Sequence, residues 1–354
     1  MRTRSRRRDW RLFMSTALLA GAATAGCSSG TNHPATLSCI PPDTGLPTDV
    51  FCLGLYANHD QNQVSHEVTP YTPGIVLWSD GAEKHRYLYL PPGTQINTAN
   101  MDVWQFPVGT KVFKEFRLQG TLIETRAMLK RDPTTWDVGT YVWAPDGASA
   151  TLSTDTKGTV LPSGYEIPGV KDCDKCHHGG ADRLLGVEAI ALALPKAQGL
   201  PLSELVKRGL LTNPPPTTTI SLPEDATGKA GDAIGYLHMN CGVSCHSNRG
   251  LGNDTGLLMR LRADEIWPPG PGAAPSTAQQ TDIYSKSVNS APTTGAVADH
   301  FPGTVRISPG SYDSSLIWLL PHRRDEYQMP PLVSHVVDEV GTKLLADWID
   351  ALPR

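Results

Sequence analysis

Four of the seven cysteines stand in two close pairs, each followed at once by a histidine: Cys173-Asp174-Lys175-Cys176-His177 and Cys241-Gly242-Val243-Ser244-Cys245-His246. No other feature constrains the fold as tightly, because each pair must be presented on one turn beside an imidazole. The first has the C-x-x-C-H spacing of c-type haem attachment. Two thiols on a single turn can add across the two vinyl groups of one porphyrin while the adjoining imidazole reaches the iron. On that reading Cys173 and Cys176 fix a haem c and His177 ligates its iron. A disulfide, or half of a zinc site with His177 and His178, would use the same residues.

The second motif has one residue more between its thiols, a rarer C-x-x-x-C-H spacing. Cys241 and Cys245 then hold a second haem with His246 on its iron, or else pair with each other. Ahead of them, Asp232 to Met239 places Ile234, Leu237 and His238 at helical spacing. Far downstream come Met329-Pro330-Pro331 and then Val336 to Leu352, where Val340, Leu344, Leu345, Trp348, Ile349 and Leu352 outline an amphipathic helix. Helix, cysteine-histidine turn, methionine loop and closing helix together resemble the class I cytochrome c domain. That resemblance implies His246 as proximal and Met329 as distal ligand, with Pro330 and Pro331 stiffening the loop; a plain core role for Met329 is the other reading. For the first haem the distal candidates are His85, Met101, Met128, Met239 and His238, and no spacing selects among them. An open position there would admit small ligands or peroxidase-like chemistry.

The amino terminus sets the compartment. Six arginines between Arg2 and Arg11 precede an apolar run from Leu12 to Ala25 that is short for a membrane helix and ends in small residues, which reads as a secretory signal over 1–26. Its end, Thr24-Ala25-Gly26-Cys27, resembles a bacterial lipobox, which implies lipidation of Cys27, and Ser28 and Ser29 fit outer-membrane sorting. Cys39 and Cys52 bracket a short loop containing proline and glycine and are expected to form a disulfide, so that every cysteine has a fate. Without residues 1–26 the chain carries 25 basic and 34 acidic side chains, a net charge of about −9 with histidine neutral. Such a balance argues against nucleic acid as a partner and for redox partners with basic surfaces.

Between these landmarks the periodicity changes. From Thr69 to Leu161 it is two, with strands expected at Gly74–Trp78, Arg86–Leu90, Lys111–Leu118, Leu122–Lys130 and Thr140–Trp143. Trp78, Trp104, Trp136 and Trp143 are expected to pack in the core, and Asp80, Glu83, Lys84, His85 and Arg86 to form a solvated charged turn. After Cys176 helices predominate, beginning with Pro201–Leu211, and a proline-rich linker follows at 213–217. The expected class is α+β, with an N-terminal β-rich, sandwich-like domain followed by a mainly α-helical, cytochrome c-like one. Its divisions are a signal at 1–26, a tether and disulfide-closed loop at 27–66, the β-rich domain at 67–165, the first haem-motif segment and linker at 166–220, and the second haem domain at 221–354.

Trp104-Gln105-Phe106-Pro107-Val108-Gly109-Thr110-Lys111, Glu124-Thr125-Arg126, Thr140-Tyr141-Val142-Trp143, the Cys173–His177 motif and Tyr236-Leu237-His238-Met239-Asn240-Cys241 resemble a little-characterised group of bacterial exported dihaem cytochromes. The resemblance covers roughly residues 65–352 and implies haem c with iron, electron transfer between periplasmic or cell-surface partners, and no particular substrate. Two alternatives belong to other classes: a haem oxidoreductase with an open site at the first haem, and an exported binding module whose cysteine pairs are disulfides.

Overall fold

A computed structural model describes residues 39, 42–178, 180, 182, 184–270, 272–293 and 295–354. The expected signal, Cys27 and the tether up to residue 38 lie outside the described residues. Alternating side chains over 83–143 build an antiparallel meander in which sequence neighbours pair throughout: β1 (Thr69–Pro70), β2 (Glu83–Tyr89), β3 (Lys111–Leu118), β4 (Thr121–Lys130), β5 (Trp136–Trp143) and β6 (Ala150–Leu152). A separate two-stranded ribbon, β7 (Thr159–Val160) with β8 (Glu166–Ile167), leads to the first cysteine motif. Nine α-helices follow among the described residues: α1 (Asp172–Cys176), α2 (Ala189–Ala193), α3 (Leu202–Lys207), α4 (Ala230–Leu237), α5 (Ala263–Ile266), α6 (Asp282–Ser285), α7 (Gly295–His300), α8 (Leu316–Leu319) and α9 (Glu339–Ala351). The class is mixed α+β.

Both faces of the sheet are covered, by different things. One face presents Tyr87, Phe113, Ala127, Tyr141 and Trp143 to Leu46, Val50, Leu53, Leu55, Tyr56 and Val68 of the preceding segment. That segment is tied down by the expected disulfide, Cys39–Cys52, with a Cα–Cα distance of 5.2 Å. The other face presents Leu88, Val112, Met128 and Trp136, which share one apolar cluster with Ile190, Leu205, Ile234, Leu345 and Trp348 from the helical half. A helical layer thus covers the face where a sandwich would place a second sheet, because the strands are followed by segments of period 3.6 rather than two.

Two expectations are corrected here. Gly74–Trp78 is not a strand: the Gly74 amide donates to Ala191 O at 2.8 Å and the Trp78 amide to Asn240 Oδ1 at 2.7 Å. Its hydrogen bonds are taken by a helix end and a side chain, so the segment runs as a strap with Ile75 and Leu77 packed beside Leu185, Met239 and Val243. Nor is 80–86 a solvated turn. Asp80 is buried and accepts from the amides of His335 and Val336, while in β2 the alternation sends Lys84 and Arg86 to the helix-covered face and leaves Glu83 and His85 partly exposed on the other.

The closing helix α9 starts at Asp338, whose carboxylate accepts from the Gly341 amide at 2.9 Å. Gly341, Thr342, Leu345, Trp348 and Ile349 form its buried face, and each of the fully buried Trp348 and Ile349 contributes on the order of 2 kcal/mol or more. A Cβ on Gly341 would lie 2.2 Å from the Tyr236 ring, so glycine is what lets α9 approach α4. Val340, expected on the apolar face, is 79% exposed because it falls on the opposite side of the turn.

Candidate functional site

The first motif begins at α1, a single helical turn in which Lys175 pairs with Asp172 at 2.9 Å. The His177 amide donates to Cys173 O at 3.0 Å, so one ordinary i to i+4 turn carries first cysteine, second cysteine and histidine. Both thiols are free and half-buried. Desolvation raises the pKa of each above that of a free cysteine, although Arg126 draws Cys173 back down and Cys245 adds to the rise at Cys176. Just beyond the motif, Asp182 is buried against the sheet. Both of its oxygens accept from Lys130 Nζ at 2.6 Å, one accepts from Trp136 Nε1 at 3.1 Å, and the Phe106 amide also donates to it.

The second motif carries its extra residue in its hydrogen bonding. Helix α4 runs directly into a π turn over His238–Gly242, with the Val243 amide on His238 O at 2.9 Å. The turn widens again at the thiols: the His246 amide donates to Cys241 O at 2.8 Å, an i to i+5 bond. One more residue between the cysteines is matched by one more residue inside the ring, so the first cysteine and the histidine close a single turn in both motifs. Cys241 and Cys245 are also free thiols, and burial together with Cys245 pushes Cys241 up to about 12.

His246 is held by the loop that follows it. The Met259 amide donates to its carbonyl at 2.8 Å, and Thr255 Oγ1 lies 3.4 Å from Nδ1 while donating its own proton to Gly252 O at 2.6 Å. Thr255 can therefore accept from an Nδ1 proton, which leaves Nε2 as the nitrogen available to a metal. Gly252 lies against the ring, where a Cβ would come within 2.7 Å of Nδ1. Desolvation, then the Arg306 charge, lowers the His246 pKa and favours the neutral, ligating imidazole.

The two motifs, 68 residues apart in sequence, meet in space. Ser244, within the longer spacer, donates its hydroxyl to the Cys176 carbonyl at 2.7 Å. Of the distal candidates, His85 projects from the opposite face of the sheet, bonded to Glu83 at 3.0 Å. His238 accepts from the Leu261 amide at Nδ1 (3.0 Å) and faces Glu188 with Nε2 at 3.5 Å, so both ring nitrogens are engaged. Met101 is approached by Trp104 Nε1 at 3.4 Å, and Met128 and Met239 are buried in separate apolar clusters. Met329 is half-buried, its amide donating to Leu320 O at 3.0 Å. Its loop contributes Gln328 and Pro331–His335 to a cleft of about 490 Å³ shared with Asp172 and Lys175 of α1, which puts the loop beside the first motif, a neighbourhood that linear order did not suggest.

Among the described residues, no three His, Cys, Asp or Glu side chains gather closely enough to bind a metal unaided. A porphyrin brings four nitrogens of its own and needs only one or two axial side chains, which a cysteine-histidine turn can supply without such a cluster. No helix among the described residues is long and apolar enough to cross a membrane. The chain is matched by no family model, no curated protein and no solved structure.

Proposed function

We propose that this chain is an exported, lipid-anchored c-type cytochrome that carries two covalent haems and transfers electrons between redox partners of the bacterial envelope. The observation that supports it most is the pairing of an ordinary turn from Cys173 to His177 with a π-widened turn from Cys241 to His246. Cys173, Cys176, Cys241 and Cys245 would each form a thioether, the S–H adding across one vinyl C=C, and His177 and His246 would ligate iron. The haem, when bound, supplies reversible one-electron chemistry. The protein's own part is to orient and partly desolvate: Thr255 and Gly252 aim His246, Ser244 ties one motif to the other, and Asp182 clamps the chain after His177. Intact mass with a pyridine haemochrome spectrum, on protein matured where haem is attached, should give two haem masses. Cys173→Ala and Cys241→Ala should each lose one, and a colourless product of unshifted mass would reject the reading.

A second reading draws on the distal candidates. With His85 turned away and His238 engaged at both nitrogens, the first haem would keep an open position and bind small ligands. Carbon monoxide added to reduced protein should then shift the spectrum of the one haem that Cys173→Ala removes. An unshifted spectrum would leave electron transfer alone.

A further inference from the structure

The alternation that turns His85 outward turns Arg86 inward, and strand register completes a row. Arg86 on β2 lies opposite Lys114 on β3, which lies opposite Arg126 on β4. Like charges directly across a sheet weaken the pairing, and here they do so on a covered face. Among the described residues only one of the three has a carboxylate: Arg126 is held by Glu124, Nε to Oε2 at 3.0 Å. Arg86 is 3% exposed, reaches the Lys84 carbonyl at 3.3 Å with one nitrogen, and leaves its Nε without an acceptor. The buried Tyr71 hydroxyl beside it also lacks a partner. Among the described residues no acceptor meets the Lys114 ammonium, which desolvation, then Arg86 and Arg126, push down to about 7.

Unpaired cations held this way are unfavourable unless an anion completes them. The row faces the first motif, with Arg126 close enough to Cys173, and Lys114 to Cys176, for their ionisations to be coupled. We infer that Arg86, Lys114 and Arg126 form a carboxylate site that receives the propionate groups of the haem attached at Cys173 and Cys176, an inference that rests on the haem reading above. Glu124 answers only Arg126, Lys84 on the same face adds a fourth basic group, and a haem would bring two propionates to this excess of cation. Arginine forks suit carboxylates, and a carboxylate beside Lys114 restores its charged form. Cations beside a cysteine pair could instead activate a redox dithiol, but both thiols are held above the ordinary value, which disfavours the thiolate.

The test uses holoprotein and spectroelectrochemical titration of both haems. A cation near iron disfavours the ferric state, so Lys114→Gln should lower the midpoint potential of one haem, the one missing from Cys173→Ala protein, while Lys114→Arg stays close to the native value. Because Lys114 has no partner to orphan, Lys114→Gln should fold, and Arg86→Gln provides a second variant with the same expected direction. Unchanged potentials in both variants, with haem present on Cys173 and Cys176, would overturn the site alone. A shift of the native potential on adding acetate or phosphate would mean that the row takes an anion from solution, and would also overturn it. Absence of haem mass at that motif, seen before any potential is recorded, would overturn this inference together with the cytochrome reading.

Discussion

Lys130 and Asp182 are 2% and 7% exposed at their side chains, and Asp182 accepts from Lys130, Trp136 and the Phe106 amide. Lys130→Met would strand that carboxylate in the core, so urea unfolding should report a loss of about 3–5 kcal/mol. Gly252 makes a sharper point, because a single added Cβ meets the His246 ring at 2.7 Å. Gly252→Ala should cost about 1–3 kcal/mol and alter the absorption of one haem, with the other unchanged. Neither position stands out by residue type. Lys130 and Asp182 are 52 residues apart, and the glycine matters only once the 246–259 loop has wrapped around its histidine.

Among the elements, the turn at the second motif offers a direct comparison. Deleting Val243 leaves Cys241-Gly242-Ser244-Cys245-His246, the spacing of the first motif; the turn should contract by one residue, and intact mass should still record two haems. A fall to one haem would show that the widened turn is required and not merely tolerated. The sheet makes a prediction about pH. Folded Lys114 has a pKa of about 7 against about 10.4 for an unperturbed lysine, so between those values the unfolded chain binds more protons than the folded one. Stability to urea of chain made without haem should therefore rise with pH from about 7 to about 8.5, above which the thiols of Cys173, Cys176 and Cys241, held protonated by the fold, act in the opposite direction. The groups facing Lys114 are Arg86 from β2, Arg126 from β4 and Cys176 from α1, and the desolvated Lys84, also lowered well below its ordinary value, acts in the same direction. Lys114→Gln should make the dependence shallower without abolishing it. β2 also explains why the charged stretch at 80–86 misled: composition shows five ionisable residues, but only the pleat decides which of them face inward.

For the whole molecule, charge and core pull on different questions. With about nine excess negative charges over residues 27–354, electron exchange with a small basic redox protein should slow as ionic strength passes about 0.1 M, where the screening length falls to about 10 Å. Stopped-flow rates that ignore salt would remove the case for a basic partner.

The α+β class, the Cys39–Cys52 disulfide, the lead-in helix α4 and the closing helix α9 were legible in the chain because each is written locally, in periodicity, spacing or capping. The two cysteine-histidine motifs are likewise local, and each closes one turn. What tertiary structure alone decided is what lies across from what. Strand register lined up Arg86, Lys114 and Arg126, packing brought Ser244 onto Cys176, and the Met329 loop came to rest beside α1. Contacts between residues tens of positions apart depend on how layers stack to bury a shared core, and no local pattern encodes that.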